Sequence, residues 1–135
     1  MSALSIRLSL AKLDLEAGRL VEAEAELRRA EQVAIGGNLM LRLAQVSALM
    51  GRLRGAQEDE TGFVFFEQAL ELAKALDRSV ATQAQMYFEY GLFRNRLGHQ
   101  DEARAYLEQA REMFGSLGEA AERERADAEL RRLSA

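Results

Sequence analysis

The sequence predicts an all-α protein: an α-solenoid of three helix-turn-helix repeats followed by a C-terminal capping helix, seven helices in all. Three observations carry this. The 135 residues include no proline and are rich in Ala, Leu, Glu, Arg and Gln, side chains that lose little rotamer freedom in a helical turn. Apolar residues recur at helical spacing in block after block, as at Leu20, Ala23, Leu27, Ala30 and Ala34, or at Phe63, Phe66, Leu70 and Ala73. The blocks also repeat one another at a fixed step.

Breaks at Gly18, Gly36-Gly37-Asn38, Gly55 to Asp59, Asp77 to Ser79, Gly98 and Gly118 cut the chain into helices of roughly 14 to 20 residues, too short to fold alone. The first helix begins almost at Met1 and is apolar around much of its circumference, unlike a polar end piece. The second carries the narrow apolar face already quoted, and the third runs from Asn38 toward Gly55. The fourth opens on GFVFFEQAL, Gly62 to Leu70. At about 100° per residue, Phe63, Phe65, Phe66, Ala69, Leu70, Leu72, Ala73 and Leu76 share one half-circle. Glu67, Gln68, Glu71, Lys74 and Arg78 occupy the other half, and only Val64 is left over. So wide a face predicts a helix packed on two sides. The fifth and sixth helices meet at Gly98. The seventh, Glu119 to Leu133, offers few large apolar residues besides Leu130 and Leu133, which suits the polar end of a stack.

The repeat is explicit. LEAGRLVEAEAELRRAEQ (Leu15 to Gln32) aligns with NRLGHQDEARAYLEQARE (Asn95 to Glu112), pairing Gly18 with Gly98, Glu22 with Glu102, Ala23 with Ala103, Leu27 with Leu107 and Ala30 with Ala110, all 80 residues apart. A middle copy halves the step to 40, because Leu10-Ala11, Met50-Gly51 and Tyr90-Gly91 stay in register, as do Ser5, Gln45 and Gln85. Ala30, Ala69 and Ala110 stand 39 and 41 apart, so the middle copy has lost one residue between Gly51 and Ala69. The loop around Gln57 is the expected place, since a deletion costs less there than inside a packed helix. A single domain over 1–135 is expected, with repeats at about 2–36, 38–77 and 79–117 and a cap at about 119–133.

This pattern resembles the tetratricopeptide repeat. The residues that carry the resemblance are Ala11, Gly51 and Gly91 in the first helix of each copy, Gly18 and Gly98 in the turn, and Ala23, Gly62 and Ala103 opening the second helix. Leu27, Phe66 and Leu107 follow in its middle, then Ala30, Ala69 and Ala110, so that the likeness spans about 2–133. The aromatic near the start of each repeat is clear only at Tyr87, the closing proline is missing, and the period of 40 exceeds the usual ~34. The chain therefore looks like the long, proline-poor kind found as repeat regions of bacterial regulatory and signalling proteins, such as the maltose-regulator type. YLEQAREMFGSLGEAAERERADAELRRL is similar to the ends of such regions. The resemblance implies a right-handed stack whose first helices line a concave groove for an extended or helical protein segment.

The periodicity marks the same side. Ser5, Ser9, Lys12 and Glu16 share a narrow arc of the first helix. At the 40-residue step they become Gln45, Leu49, Arg52 and Ala56, and then Gln85, Glu89, Leu92 and Arg96, with Phe88 at the stripe's edge. The candidate protein-binding groove is thus Ser5, Ser9, Lys12, Gln45, Arg52, Gln85, Phe88, Glu89, Leu92 and Arg96, mildly basic, with Arg54 and Arg94 near its rim. Read blandly, each stripe is a solvated helix face with cations near its carboxyl end, as the helix dipole favours. Members of the family that clamp a chaperone's carboxylate tail carry basic and amide residues that would fall at Leu8, Lys12, Leu49, Gln85 and Glu89. Only Lys12 has a suitable charge, so an acidic chaperone tail is not the expected ligand.

No catalytic, metal-ligating or cofactor-binding residue is expected. His99 is the single histidine and cysteine is absent, so neither an H-E-x-x-H site nor a Cys/His cluster can be built. His99 reads as part of a turn, with Asp101 and Glu102 in the first turn of the next helix, where carboxylates face unpaired backbone N–H groups. QEDETG, Gln57 to Gly62, imitates a calcium loop, but Gln57 and Gln68 fall where the loop needs carboxylates, so a solvated turn is expected.

Composition bounds the partners. The lack of cysteine points to a reducing compartment, no basic leader or long apolar run is visible, and a cytoplasmic protein is expected. A net charge of −4 argues against direct nucleic-acid binding and against anionic membranes. The expected role is non-enzymatic: capture of a protein or peptide in the groove. The alternatives are a scaffold that forms a homo-oligomer through its uncapped first repeat, or a sensor segment of a larger enzyme or transcription regulator.

Overall fold

The structure, a computed structural model, describes residues 3–76 and 80–134 and is all-helical. Seven helices lie among the described residues: α1 (Ala3–Glu16), α2 (Leu20–Gly36), α3 (Met40–Ala56), α4 (Gly62–Ala75), α5 (Val80–Arg96), α6 (Gln100–Ser116) and α7 (Ala120–Ser134). The predicted break at Asp77 to Ser79, with Arg78, lies outside the described residues, as do Met1, Ser2 and Ala135.

One device ends five of the helices. Gly18, Asn38, Glu58, Gly98 and Gly118 all have a positive φ, between 53° and 87°. The N–H of each donates to the carbonyl three residues back, and the N–H of the following residue donates to the carbonyl five back, as Arg19 does to Asp14 at 2.8 Å and His99 to Arg94 at 2.9 Å. This double closure satisfies the last free carbonyls of a helix. The five sites keep steps of 20 or 40 residues, so backbone geometry repeats along with sequence. In the second break it is Asn38 that turns left-handed, while Gly37 has φ −91°. In the third it is Glu58, and Gly55 is packed inside α3. Because Glu58 keeps step with Gly18 and Gly98, the residue missing from the middle copy falls between Asp59 and Gly62 and not at Gln57. There Asp59 Oδ1 accepts hydrogen bonds from the Thr61 N–H at 2.9 Å and the Thr61 hydroxyl at 2.7 Å, which form the entry to α4.

A side chain in the left-handed region costs about 1 kcal/mol that glycine avoids. Glu58→Gly should therefore stabilise the protein by about 0.5 to 1 kcal/mol, read as a higher urea midpoint at unchanged slope. A lower midpoint would show that the Glu58 side chain outweighs its backbone strain.

The chain forms two compact units, Met1–Leu72 and Ala73–Ala135. In the first, the three-residue link between α1 and α2 makes an antiparallel hairpin, and α3 packs on α2 and more lightly on α1. Its core joins Leu4, Leu8 and Ala11 of α1 to Ala23, Leu27, Ala30 and Ala34 of α2 and to Val46, Leu49, Met50 and Leu53 of α3. Phe66 of α4 is fully buried with its ring directly on Gly51. Phe63, expected on the buried half-circle, is instead 42% exposed. The buried row of α4 runs through Phe66, Ala69, Leu70 and Ala73, and Phe63 stands at its margin in the first turn.

In the second unit α5 packs on α6 and α6 on α7. Ala84, Phe88, Leu107, Ala110, Phe114, Ala126 and Leu130 form the core. All three tyrosines gather beside it: Tyr90 stacks on Tyr106 at 4.3 Å between centroids, Tyr87 lies 6.1 Å from Tyr106, and the Lys74 ammonium sits 5.7 Å over Tyr87. As predicted, α7 is thin: Ala126 and Leu130 are its buried residues, and Arg125–Glu122, Arg131–Glu124 and Arg132–Glu129 pairs decorate its surface.

Candidate functional site

The first helix of each repeat has three faces, related by the 40-residue step. One meets the repeat's own second helix. It carries Leu4, Leu8 and Ala11 in α1, Ala44, Ala48 and Gly51 in α3, and Ala84, Phe88 and Gly91 in α5, all buried. The Gly51 contact with Phe66 and the Gly91 contact with Leu107 identify the partner helix. A second face carries Ile6, Leu10 and Leu13 in α1. Their equivalents are buried: Val46, Met50 and Leu53 are 0%, 4% and 0% exposed, and Met86, Tyr90 and Phe93 are 3%, 0% and 3%. In α1 the same positions are 46%, 46% and 56% exposed.

The third face holds the polar stripe. On α1, Ser9 and Lys12 are exposed and Ser5 is half-buried. On the neighbouring α3, Gln45 accepts a hydrogen bond from Arg42 at 3.0 Å, and Arg52 is half-buried. The first unit therefore places two short polar rows on adjacent helices. In the second unit Gln85 donates to Glu89 at 3.3 Å, and Arg96 is exposed at the end of α5.

Several stripe assignments are corrected. Phe88 is 3% exposed and belongs to the core with Leu107 and Phe114, and the Arg125 guanidinium covers its ring at 5.0 Å. It stands on the face toward α6, one notch around the helix from the polar row, so it offers no open apolar contact. Leu92 is half-buried against the same core, and Leu49 is buried in the first unit. Arg54 and Arg94 do not edge the stripe. Each sits two residues beyond a stripe residue, about 200° around the helix, and points to the opposite side. Arg54 donates to Glu24 of α2 at 2.8 Å and lies 5.9 Å over the Phe65 ring. The hydrogen bond from Arg54 is the main cause that holds the Glu24 carboxyl below its ordinary pKa, against a smaller opposing effect of desolvation. Arg94 donates to the Tyr90 hydroxyl at 3.1 Å, and its Nε stands 3.1 Å from a Glu102 oxygen. Burial is the largest single influence on Arg94 and lowers its pKa, but the Tyr90 and Glu102 interactions together leave it raised.

His99 is the residue before α6, with φ −90° and ψ 70° and no side-chain capping bond; its backbone N–H closes α5. Asp59 is engaged by Thr61, whose hydroxyl and then N–H lower its pKa. Among the described residues no group of three His, Cys, Asp or Glu is placed to hold a metal ion, and no helix is long and apolar enough to cross a membrane. No family model matches the chain, and no curated protein or solved structure matches it either.

The open row Ile6, Leu10 and Leu13 lies outside the expected groove residues. The apolar circumference of the first helix was visible in the sequence. The 40-residue step also singles out these three, since their equivalents Val46, Met50, Leu53 and Met86, Tyr90, Phe93 are all large aliphatic, thioether or aromatic side chains.

Proposed function

We propose that the chain is a non-enzymatic protein-interaction module of tetratricopeptide-like helical hairpins, working in the cytoplasm within bacterial signalling or regulation. It binds an extended or helical protein segment along the polar faces of its first helices. The observation that supports this reading most is that part of the third face stays open. Ser9, Lys12 and Arg96 stay exposed while the two other faces of each first helix are apolar in character. On the first unit a ligand gains charge-assisted hydrogen bonds from Lys12 and Arg52, and on the second from Arg96, beside the half-buried Leu92.

Peptides selected from a displayed random library against the intact chain test the site. The Arg52→Ala/Arg96→Ala variant should bind groove peptides more weakly by over ~1 kcal/mol, about fivefold in Kd by fluorescence anisotropy. If every selected peptide binds both forms alike, the groove assignment fails.

A further inference from the structure

We infer that α7 extends the groove proposed for the first helices, on which this assignment rests, and that Arg125 and Arg132 take two carboxylate side chains of an acidic protein segment. The 40-residue step runs on past α5. Ala126, Leu130 and Leu133 of α7 fall at the positions of Met86, Tyr90 and Phe93, and Ala126 and Leu130 are buried as those three are. In position and in packing α7 is thus the first helix of a fourth copy. Its polar stripe follows from the same step: Arg125, Glu129 and Arg132, after Gln85, Glu89 and Leu92. At one place in the stripe three of the four copies carry a cation, Lys12, Arg52 and Arg132, and only α5 has leucine.

The stripes of α5 and α7 belong to the same unit, whose core joins Ala84 and Phe88 to Ala126 and Leu130. They also touch, since the Arg125 guanidinium lies 5.0 Å over the Phe88 ring at the edge of the α5 stripe. Such stacking orients the planar fork in advance. The Arg125 and Arg132 side chains are 58% and 72% exposed. Their ion pairs, to Glu122 at 2.9 Å and to Glu129, are exposed contacts of the kind that contribute little, and each guanidinium has further donors for a second carboxylate. The helix dipole accounts for Arg132 in the last turn of α7 but not for Arg125, which stands in its amino-terminal half. The two are seven residues apart on one face, about 10 Å along the helix. An extended chain covers about that distance in three residues. Because Glu129 stands between the arginines, the complementary segment is Asp or Glu, two residues without a carboxylate, then Asp or Glu.

Peptides selected from a displayed random library on the intact chain are measured by fluorescence anisotropy against two variants, Arg52→Ala/Arg96→Ala and Arg125→Ala/Arg132→Ala. The selected set should be enriched in carboxylates three residues apart, and the α7 variant should bind it about fivefold or more weakly. Selection on the charge reversal Arg125→Glu/Arg132→Glu should in turn enrich lysine or arginine at those two positions, which a variant that had merely lost its packing would not do. Peptides weakened by Arg52→Ala/Arg96→Ala but indifferent to the α7 variant would leave the groove standing and remove α7 from it. Peptides weakened by the α7 variant alone would support α7 and overturn the roles of Arg52 and Arg96. Indifference to both variants overturns both assignments, and a selected set without paired carboxylates overturns the role given to α7.

Discussion

Leu53→Ala should cost about 3 kcal/mol of stability, whereas Leu13→Ala, the same substitution 40 residues earlier, should cost less than about 0.5 kcal/mol. Both leucines occupy the same position on the first helix of their repeats. Leu53 has no exposed surface and is held among Leu27, Met50 and Val46, so truncation leaves a void in a packed interior. Leu13 is 56% exposed and leaves little behind. Urea unfolding of the two variants, with unchanged slope, measures the contrast. Equal losses would mean that the α1 row is already covered and that the equivalence of the repeats has been misjudged.

Gly51→Ala should cost about 2 kcal/mol, although alanine normally favours a helix by up to ~1 kcal/mol over glycine. A Cβ at this position would stand 2.5, 2.6 and 2.8 Å from three atoms of the Phe66 ring, which is fully buried and cannot turn aside. The first repeat solves the same contact differently, with Ala11 and Leu27 at the equivalent positions and both fully buried. Converting the middle copy to that pair, Gly51→Ala with Phe66→Leu, should recover stability to within about 1 kcal/mol of the parent. Losses that simply add in the double variant would show that the glycine serves the backbone and not the ring.

Much of this architecture was legible in the sequence because repetition multiplies weak signals. Seven helices, the 40-residue step and the thin polar face of α7 follow from periodicity and glycine breaks. The middle turns were harder, because Asn38 and Glu58 adopt left-handed backbone without glycine, while Gly37 and Gly55 do not need it. For that reason the loss in the middle copy, expected around Gln57, lies a few residues further on. Position along the chain does not fix angle around the helix. Arg54 and Arg94 are two residues from the stripe yet face away from it, toward Glu24 and toward Tyr90 and Glu102. Phe88 neighbours the stripe but points to Leu107, because a large apolar side chain bordering two faces goes to the one that buries it. Which polar residues meet a ligand leaves no such imprint, since a solvated face and a binding face have the same composition.

The central claim is that α1 repeats the packing face of α3 and α5 but leaves it open. Single cysteines at the three equivalent sites, Ile6→Cys, Val46→Cys and Met86→Cys, measure it most directly through maleimide labelling of the folded chain. The expected result is rapid reaction at position 6 and reaction at 46 and 86 slower by at least about a hundredfold, limited by local opening. Comparable rates at all three, or protection at position 6 in the isolated chain at high dilution, would contradict it.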